Sequence, residues 1–263
     1  MKKAEKELEI ILHDKVHGSS ELLNFIYAHF LKYKNDIDYL DKALNKIKQK
    51  FSHFPIIINF TKDIENILNG RNQDSLSNYL IDFNKQQSQI YQTIFKNGAK
   101  YLLKHKTVLT ISHSRTLIKI FEIWKKSEPN LKVIICESRP NYEGILMAKE
   151  VSKLKIKTEI ITEAMSGNII KKIDAIILGA DQILPNGSII NKTGSRMLSV
   201  LAKHQHIPVY VLASSDKIVI RKTDKAKKSR TNKSTLLEGN QIKFINDDFE
   251  EIEKELITNI FTD

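Results

Sequence analysis

The stretch DAIILGADQILPNGSIINKTGS, Asp174–Ser195, decides the fold class of this chain. Its first part, Asp174–Leu178, is a β-branched apolar run of the kind that forms a buried strand in a parallel sheet. Gly179 and Ala180 then allow a tight turn. Asp181 is left at the carboxyl edge of the strand, which is where open α/β sheets bind their ligands.

Further polar groups follow on the same loop. Asn191 and Lys192 come next, and Gly194-Ser195 opens a helix whose first N–H groups can hold an anion. A carboxylate, an amide, an ammonium group and a helix N-terminus together suit a small polyol phosphate. The same spacing also fits an ordinary βα loop with an Asn-Gly turn, so the residues alone leave both interpretations open.

The pattern of the whole chain changes near residue 105. Before it, apolar residues recur at helical spacing, with one long helix predicted over Asp74–Leu103. After it, strands and helices alternate, which predicts an α/β protein: a helical N-terminal domain, residues 1–105, and a Rossmann-like domain with a doubly wound, mainly parallel sheet, residues 106–263. Strands are predicted at Thr107–Ile111, Lys132–Glu137, Lys157–Ile161, Asp174–Leu178 and Pro208–Ala213, and a closing helix at Asp247–Ile260.

The loops after parallel strands open on one edge of the sheet, so their polar side chains should converge. Cations there suit a phosphate and carboxylates suit sugar hydroxyls. For Arg139, a structural ion pair with Glu137 is the alternative role. The converging residues are Ser112, His113, Ser114, Arg115, Glu137, Ser138, Arg139, Glu163, Asp181, Asn191, Lys192, Ser214, Ser215, Asp216 and Lys217.

Composition restricts the class of protein. The chain has 263 residues, no apolar run as long as a membrane span, and a charged N-terminus unlike a signal peptide, so we expect a cytoplasmic protein. The single cysteine argues against a multi-cysteine metal site, and we expect no metal and no cofactor. The net charge is +11, and residues 217–233 hold eight Lys or Arg against one Asp. That segment predicts a lid over the site or a contact with RNA.

The motif GADQI–NG–INKTGS resembles the signature of the initiation factor 2B-related superfamily. This group includes the alpha, beta and delta regulatory subunits of initiation factor 2B, methylthioribose-1-phosphate isomerase and ribose-1,5-bisphosphate isomerase. A weaker similarity is DKVHGSSELL at Asp14–Leu23. Three further blocks fit in order: VLTISHSRT (Val108–Thr116), ICESRPNYEGILMAKE (Ile135–Glu150) and IPVYVLASSDK (Ile207–Lys217).

The resemblance implies a site that lacks one catalytic residue. In the family's isomerases, a cysteine after the first strand and the aspartate of the GAD motif form an acid–base pair. Here Ser112 stands at the cysteine position and Asp181 at the aspartate position. A serine hydroxyl exchanges protons near neutral pH far less readily than a thiol of pKa about 8.5. His113 is a further candidate for the acid–base role, and Cys136, within a strand, is predicted to pack in the core.

The N-terminal region departs from the isomerases too. They carry an arginine beside a Gly-rich turn for phosphate, whereas this chain has His17 before Gly18. Ser19 or Ser20 is predicted to be the N-cap of the next helix. The alternative is that the N-terminus of this helix binds an anion.

The resemblance implies an initiation factor 2B alpha/beta/delta-like protein that binds a phosphorylated sugar or a nucleoside monophosphate. Together with the apolar helix at Met197–Leu201, it also implies a homodimer. Two alternatives stay open. One is an aldose–ketose isomerase acting on a sugar phosphate with a substituted acid–base dyad. The other is a module that contacts RNA or a translation factor through residues 217–233.

Overall fold

The computed structural model describes residues 2–14, 16–70, 73–219 and 246–263. Within these ranges, none of the helices has the length and apolar content required to span a bilayer. The helices are α1 Lys2–Leu12, α2 Ser19–Lys32, α3 Ile37–Lys50, α4 Pro55–Asn69, α5 Gln73–Leu102, α6 Arg115–Ser127, α7 Glu143–Lys153, α8 Ser166–Ile169 and α9 Ser195–His204. The strands are β1 Thr107–Ile111, β2 Lys132–Cys136, β3 Lys157–Ile161, β4 Ala175–Leu178, β5 Gln182–Ile183, β6 Ile189–Lys192, β7 Val209–Leu212, β8 Phe249–Ile252 and β9 Asn259–Phe261.

Helices α1–α4 bury their apolar stripes in one cluster. Ile26 and Phe30 of α2 and Leu40 and Ile47 of α3 are completely buried there, as their helical spacing predicts. Helix α5 connects this cluster to the next one. Its residue Leu76 packs in the first cluster, whereas Ile94 and Leu102 pack in the second, beneath the sheet.

The central sheet has six parallel strands in the order β3-β2-β1-β4-β7-β9. This is the order of a Rossmann-like doubly wound sheet, and it confirms the predicted fold class. The five predicted strands agree with β1, β2, β3, β4 and β7 to within one residue at each end. The strand order reverses between β1 and β4, so the loops after these two strands flank the crevice in which such sheets bind ligands.

The closing helix predicted at Asp247–Ile260 is wrong. This segment instead forms β8, a short 3-10 helix at Lys254–Leu256, and β9. Strand β8 pairs antiparallel with β6, and β9 pairs parallel with β7. Its charged composition is compatible with a helix, but distant strands provide the partners that decide its structure, and Ile252 and Phe261 are buried against them.

Candidate functional site

A cavity of about 400 Å³ lies at the point where the strand order reverses, between the helical N-terminal residues and the edge of the sheet. Both parts of the chain contribute to its wall. The residues that matter below are His17, Gly18, Ser19, Glu21, Ser112, His113, Ser114, Arg115, Glu143, Asp181, Asn191, Lys192 and Lys217. The structure therefore brings together most of the predicted site residues.

Asp181 lines this cavity from the turn after β4 and is buried, with 8% of its surface exposed. Its Oδ1 accepts a hydrogen bond of 2.6 Å from the Ser19 hydroxyl and a longer one of 3.4 Å from the Ser19 N–H. Gly18, not a serine, is the N-cap of α2 and makes no side-chain cap. The predicted serine cap is therefore wrong, because Ser19 lies inside the helix and uses its hydroxyl to hold Asp181.

Lys192 forms a buried ion pair with Glu143, the first residue of α7, at 2.5 Å. The two side chains are only 8% and 3% exposed. The second carboxylate oxygen of Glu143, Oε2, has no hydrogen-bond partner among the residues that the structure describes. A buried carboxylate oxygen that lacks a partner is costly unless a ligand supplies a donor, so Glu143 belongs to the polar wall of the cavity.

The N-terminus of α9 is occupied, contrary to the predicted anion site at Gly194-Ser195. The Glu250 carboxylate oxygen Oε1 accepts hydrogen bonds from the backbone N–H of Gly194 at 2.7 Å and of Arg196 at 2.8 Å. Since β8 pairs with β6, Glu250 is brought opposite Asn191 and supplies the anion itself. The Asn191 amide donates to the Ser195 hydroxyl at 2.9 Å, so it holds the helix entrance while lining the cavity.

Lys217 is buried, and its ammonium group donates to the carbonyl oxygen of Ala180 at 2.6 Å. Burial lowers the pKa of this ammonium group, and the carboxylates of Asp181 and Asp216 oppose that shift. Lys217 therefore braces the turn that carries Asp181, and its side chain lines the same cavity. Residues 220–233 of the predicted basic lid lie outside the described residues.

Ser112 lies at the carboxyl end of β1 with a positive φ of 69°, in the left-handed region. Its N–H donates to the Ser138 hydroxyl at 2.7 Å, and the Ser138 N–H in turn donates to Glu163 at 2.7 Å. Ser114 is the N-cap of α6 and accepts from the Leu117 N–H. The loop after β1 is thus fixed by neighbouring serines, with the Ser112 position facing the cavity.

Of the two arginines predicted to contact a ligand, Arg115 lines the cavity and Arg139 does not. Arg115 lines the cavity but pairs with Glu21 of α2 at 3.0 Å. Although burial alone would lower its pKa, Glu21 and Tyr91 raise it. Arg139 is exposed, stacks on the Tyr142 ring at 4.7 Å, and lies outside the cavity wall.

The structure does not bring Arg139 together with the other predicted site residues. It does not face the cavity, and the ion pairs within the described ranges do not include the predicted one with Glu137. Cys136 is completely buried in β2 as predicted, and burial raises its pKa to about 12. No group of three or more His, Cys, Asp or Glu within the described part of the chain is arranged to hold a metal ion.

The sequence analysis did not single out Glu21, Glu143 and Glu250, whose carboxylates hold parts of the site in place. Each neutralises a cation or a helix end that the sequence left unpaired. Glu143 lies directly before Gly144 in the block ICESRPNYEGILMAKE, which carries part of the family resemblance. This position was the sequence signal that could have indicated a role for Glu143 in the site. Gly144 itself allows α7 to approach β2, because a Cβ there would lie 1.8 Å from the Cys136 carbonyl oxygen.

The geometry defines a Rossmann-like protein with a small polar site at the reversal point of its sheet. The chain belongs to the initiation factor 2 subunit family, whose model matches residues 16–263. It is 31% identical to the methylthioribose-1-phosphate isomerase of Thermotoga petrophila over 241 residues, 84% of this chain and 67% of that protein. It is 29% identical over 146 residues to a translation initiation factor eIF-2B subunit 2-like protein of Pyrococcus abyssi, 56% of this chain and about half, 53%, of that relative.

Solved structures share the fold. The Pyrococcus horikoshii translation initiation factor eIF-2B superposes with a TM-score of 0.83 at 22% identity, covering 100% of this chain and 95% of that one. A tetrameric eIF2B-beta2-delta2 complex from C. thermophilum contains a chain that superposes with a TM-score of 0.73 at 14% identity, covering 98% of this chain and 90% of that one. The family resemblance predicted from the sequence motifs is confirmed.

Proposed function

We propose that this chain is an initiation factor 2B alpha/beta/delta-like protein that binds a phosphorylated sugar or a nucleoside monophosphate in the cavity. One observation carries the proposal: buried Asp181, Asn191, Lys192 and Lys217 meet in one cavity of about 400 Å³. That volume lies within the range of roughly 300–1,000 Å³ that small-molecule sites occupy. The proposed location is the cytoplasm, where sugar phosphates and translation factors occur together.

The polar groups divide between the two halves of such a ligand. Asp181 accepts hydrogen bonds from sugar hydroxyls, for which the ligand competes with Ser19. Lys217 and the start of α2 at Gly18 and Ser19 provide N–H donors for the phosphate. Lys192 contributes less charge to the ligand, since Glu143 already neutralises it. This distribution suits one phosphate and one polyol better than a long polyanion.

The Asp181→Asn variant should bind the ligand roughly ten- to a hundredfold more weakly, because hydrogen bonds to a charged group contribute about 1.5–3 kcal/mol. We would measure thermal stabilisation and calorimetric affinity with pentose phosphates and nucleoside monophosphates. Asp41→Asn, the same chemical change on the exposed face of α3, is the matched control and should bind like the wild type. Equal affinity of both variants would remove Asp181 from the site, and no response from any probe would refute the proposed function.

An aldose–ketose isomerase is the second candidate. Its support is the identity with the Thermotoga petrophila isomerase together with Asp181 at the position of the family's catalytic aspartate. The hydroxyl of Ser112 at the thiol position argues for binding without efficient turnover. Contact with RNA or a translation factor stays a prediction for residues 217–233, most of which lie outside the described residues.

The chain is expected to form a homodimer. Met197 and Val200 on α9 are 45% and 44% exposed, although both are apolar. The eIF2B-beta2-delta2 complex shows that proteins of this fold assemble. Sedimentation equilibrium at micromolar concentration should therefore give about twice the chain mass of 30.3 kDa. A double Met197→Glu/Val200→Glu variant should sediment as a monomer. A monomeric wild type would contradict the proposal.

A further inference from the structure

Two histidines face each other in the wall of the cavity, one from each part of the chain. His17 precedes α2, and His113 follows β1. Their ring centroids are 5.4 Å apart and the rings meet edge to face. Each imidazole also has its own carboxylate: His17 Nδ1 lies 2.7 Å from Asp14 Oδ2, and His113 Nε2 lies 3.2 Å from Glu150 Oε1.

The contact with Glu150 fixes the tautomer of a neutral His113. A carboxylate oxygen accepts, so Nε2 carries the hydrogen and Nδ1 is left with a lone pair. Nδ1 has no hydrogen-bond partner among the described residues, although the His113 side chain is only 1% exposed. A buried acceptor without a partner is costly, so a hydrogen-bond donor that reached Nδ1 would be favoured. His17, when protonated, carries N–H groups at both ring nitrogens and suits an anion.

We propose that His17 and His113 form a two-imidazole subsite of the cavity, in which His17 as a cation contacts the phosphate and neutral His113 accepts a hydrogen bond from a sugar hydroxyl. The inference rests on the proposed function and assigns ligand contacts to two residues within it. It implies that the ligand carries a hydroxyl close to its phosphate, as pentose phosphates do.

The surroundings push the two imidazoles in opposite directions. The hydrogen bond with Asp14 raises the pKa of His17 despite partial burial, and Glu21 and Glu150 raise it further. Burial lowers the pKa of His113, an effect that Glu150 and Glu21 oppose and His17 reinforces. Arg115, which lines the same cavity, is paired with Glu21. These shifts favour the charged form of His17 and the neutral form of His113.

The affinity should consequently depend on pH in a bell shape. Binding weakens as the pH rises through the pKa of His17, which loses its charge, and as the pH falls through the pKa of His113, which loses its acceptor. We would measure the dissociation constants of ribose 5-phosphate and inorganic phosphate by calorimetry from about pH 5.5 to about pH 9. The phosphate titrates near pH ~6 itself, so each variant is compared with the wild type as a ratio at every pH.

Variants of His17 test the alkaline limb. His17→Gln should weaken both probes roughly ten- to a hundredfold at neutral pH, because the charge-assisted contact is lost. His17→Arg keeps a charge and should bind with no alkaline limb, so its affinity should exceed that of the wild type near pH ~9. Asp14→Asn should shift the alkaline limb to lower pH. His204→Gln, on the exposed end of α9, is the control and should leave the curve unchanged.

Variants of His113 test the hydroxyl contact. His113→Phe should weaken ribose 5-phosphate roughly tenfold and leave inorganic phosphate unchanged, since the latter has no sugar hydroxyl. His113→Asn, which keeps an acceptor near the Nδ1 position, should retain more affinity. If His113→Phe fails to fold, histidine nitrogen NMR of the wild type still reports the tautomer. It should show Nδ1 unprotonated, with a shift on adding ribose 5-phosphate.

Three results would distinguish failure of the subsite from failure of the proposed function. If ribose 5-phosphate binds but the ratio between wild type and His17→Arg is constant over the whole pH range, the two-imidazole subsite is refuted and the proposed function stands. A wild-type His113 protonated at Nδ1 would also refute the subsite. If no phosphorylated probe binds at any pH, both the proposed function and the two-imidazole subsite are refuted.

Discussion

Lys192→Met should lower the free energy of unfolding by about 3–5 kcal/mol, because it strands a buried carboxylate without its partner. Glu143 is 3% exposed, and its Oε2 already lacks a partner among the described residues. Removing the ammonium group 2.5 Å from its Oε1 leaves that oxygen, among the described residues, with the 3.3 Å hydrogen bond from the Asn141 side-chain amide. Chemical denaturation monitored by circular dichroism measures the loss.

The control is a second Lys–Glu pair with the same chemistry at the surface. Lys132 and Glu159 lie 2.8 Å apart with side chains 24% and 47% exposed, so Lys132→Met should cost no more than about 1 kcal/mol. The double variant Lys192→Met/Glu143→Leu should recover most of the lost stability, since an apolar replacement of a buried pair is often neutral. Equal losses for Lys192→Met and Lys132→Met would mean that water reaches the buried pair.

Ser112→Cys should increase isomerase turnover of methylthioribose 1-phosphate by ~10²–10⁴-fold over a wild type that turns over slowly or not at all. Ser112 lines the cavity with Asp181, and its backbone is held by Ser138, so the new thiol takes the place of the hydroxyl without moving the loop. A thiol near pKa ~8.5 can exchange protons at neutral pH, whereas an alcohol cannot. Proton NMR of the sugar measures the rate.

Two further variants identify the source of any turnover. Ser112→Ala should resemble the wild type, and Ser112→Cys/Asp181→Asn should return to the wild-type rate, because the dyad again lacks one member. Binding of the substrate is measured in parallel, so that a lost rate is not confused with lost affinity. Rapid isomerisation by the unmodified protein would show that it is an enzyme. If His113→Ala then abolished the rate, His113 would be the acid–base group in place of the thiol.

The sequence predicted the parts of the fold that depend on local pattern. Buried strands such as Ala175–Leu178 are continuous β-branched runs, and parallel strands force the loops after them to one edge. That argument brought Ser112, Asp181 and Lys217 to one cavity, where the structure has them. The argument depends on strand direction alone and does not require knowing which side chains from other segments contact these residues.

What the sequence did not predict depends on contacts between distant segments. Arg115 and Lys192 were predicted to contact a ligand, but their ion-pair partners Glu21 and Glu143 lie 94 and 49 residues away in the sequence. The α9 N-terminus is filled by Glu250 from 56 residues away. Pairing of this kind follows only from three-dimensional proximity, so residue type and spacing give no access to it.

The strand β8, which places Glu250 against the site loop, is also among the last parts of the chain to be synthesised. The wall of the cavity is assembled from residues as far apart as His17 and Phe249, and β9 at Asn259–Phe261 completes the edge of the sheet beside β7. Contacts of such long sequence separation form late, after their loops have closed. We therefore expect a growing chain on the ribosome to bind the proposed ligand only after Phe249 has emerged from the exit tunnel, because Phe249 is part of the cavity wall.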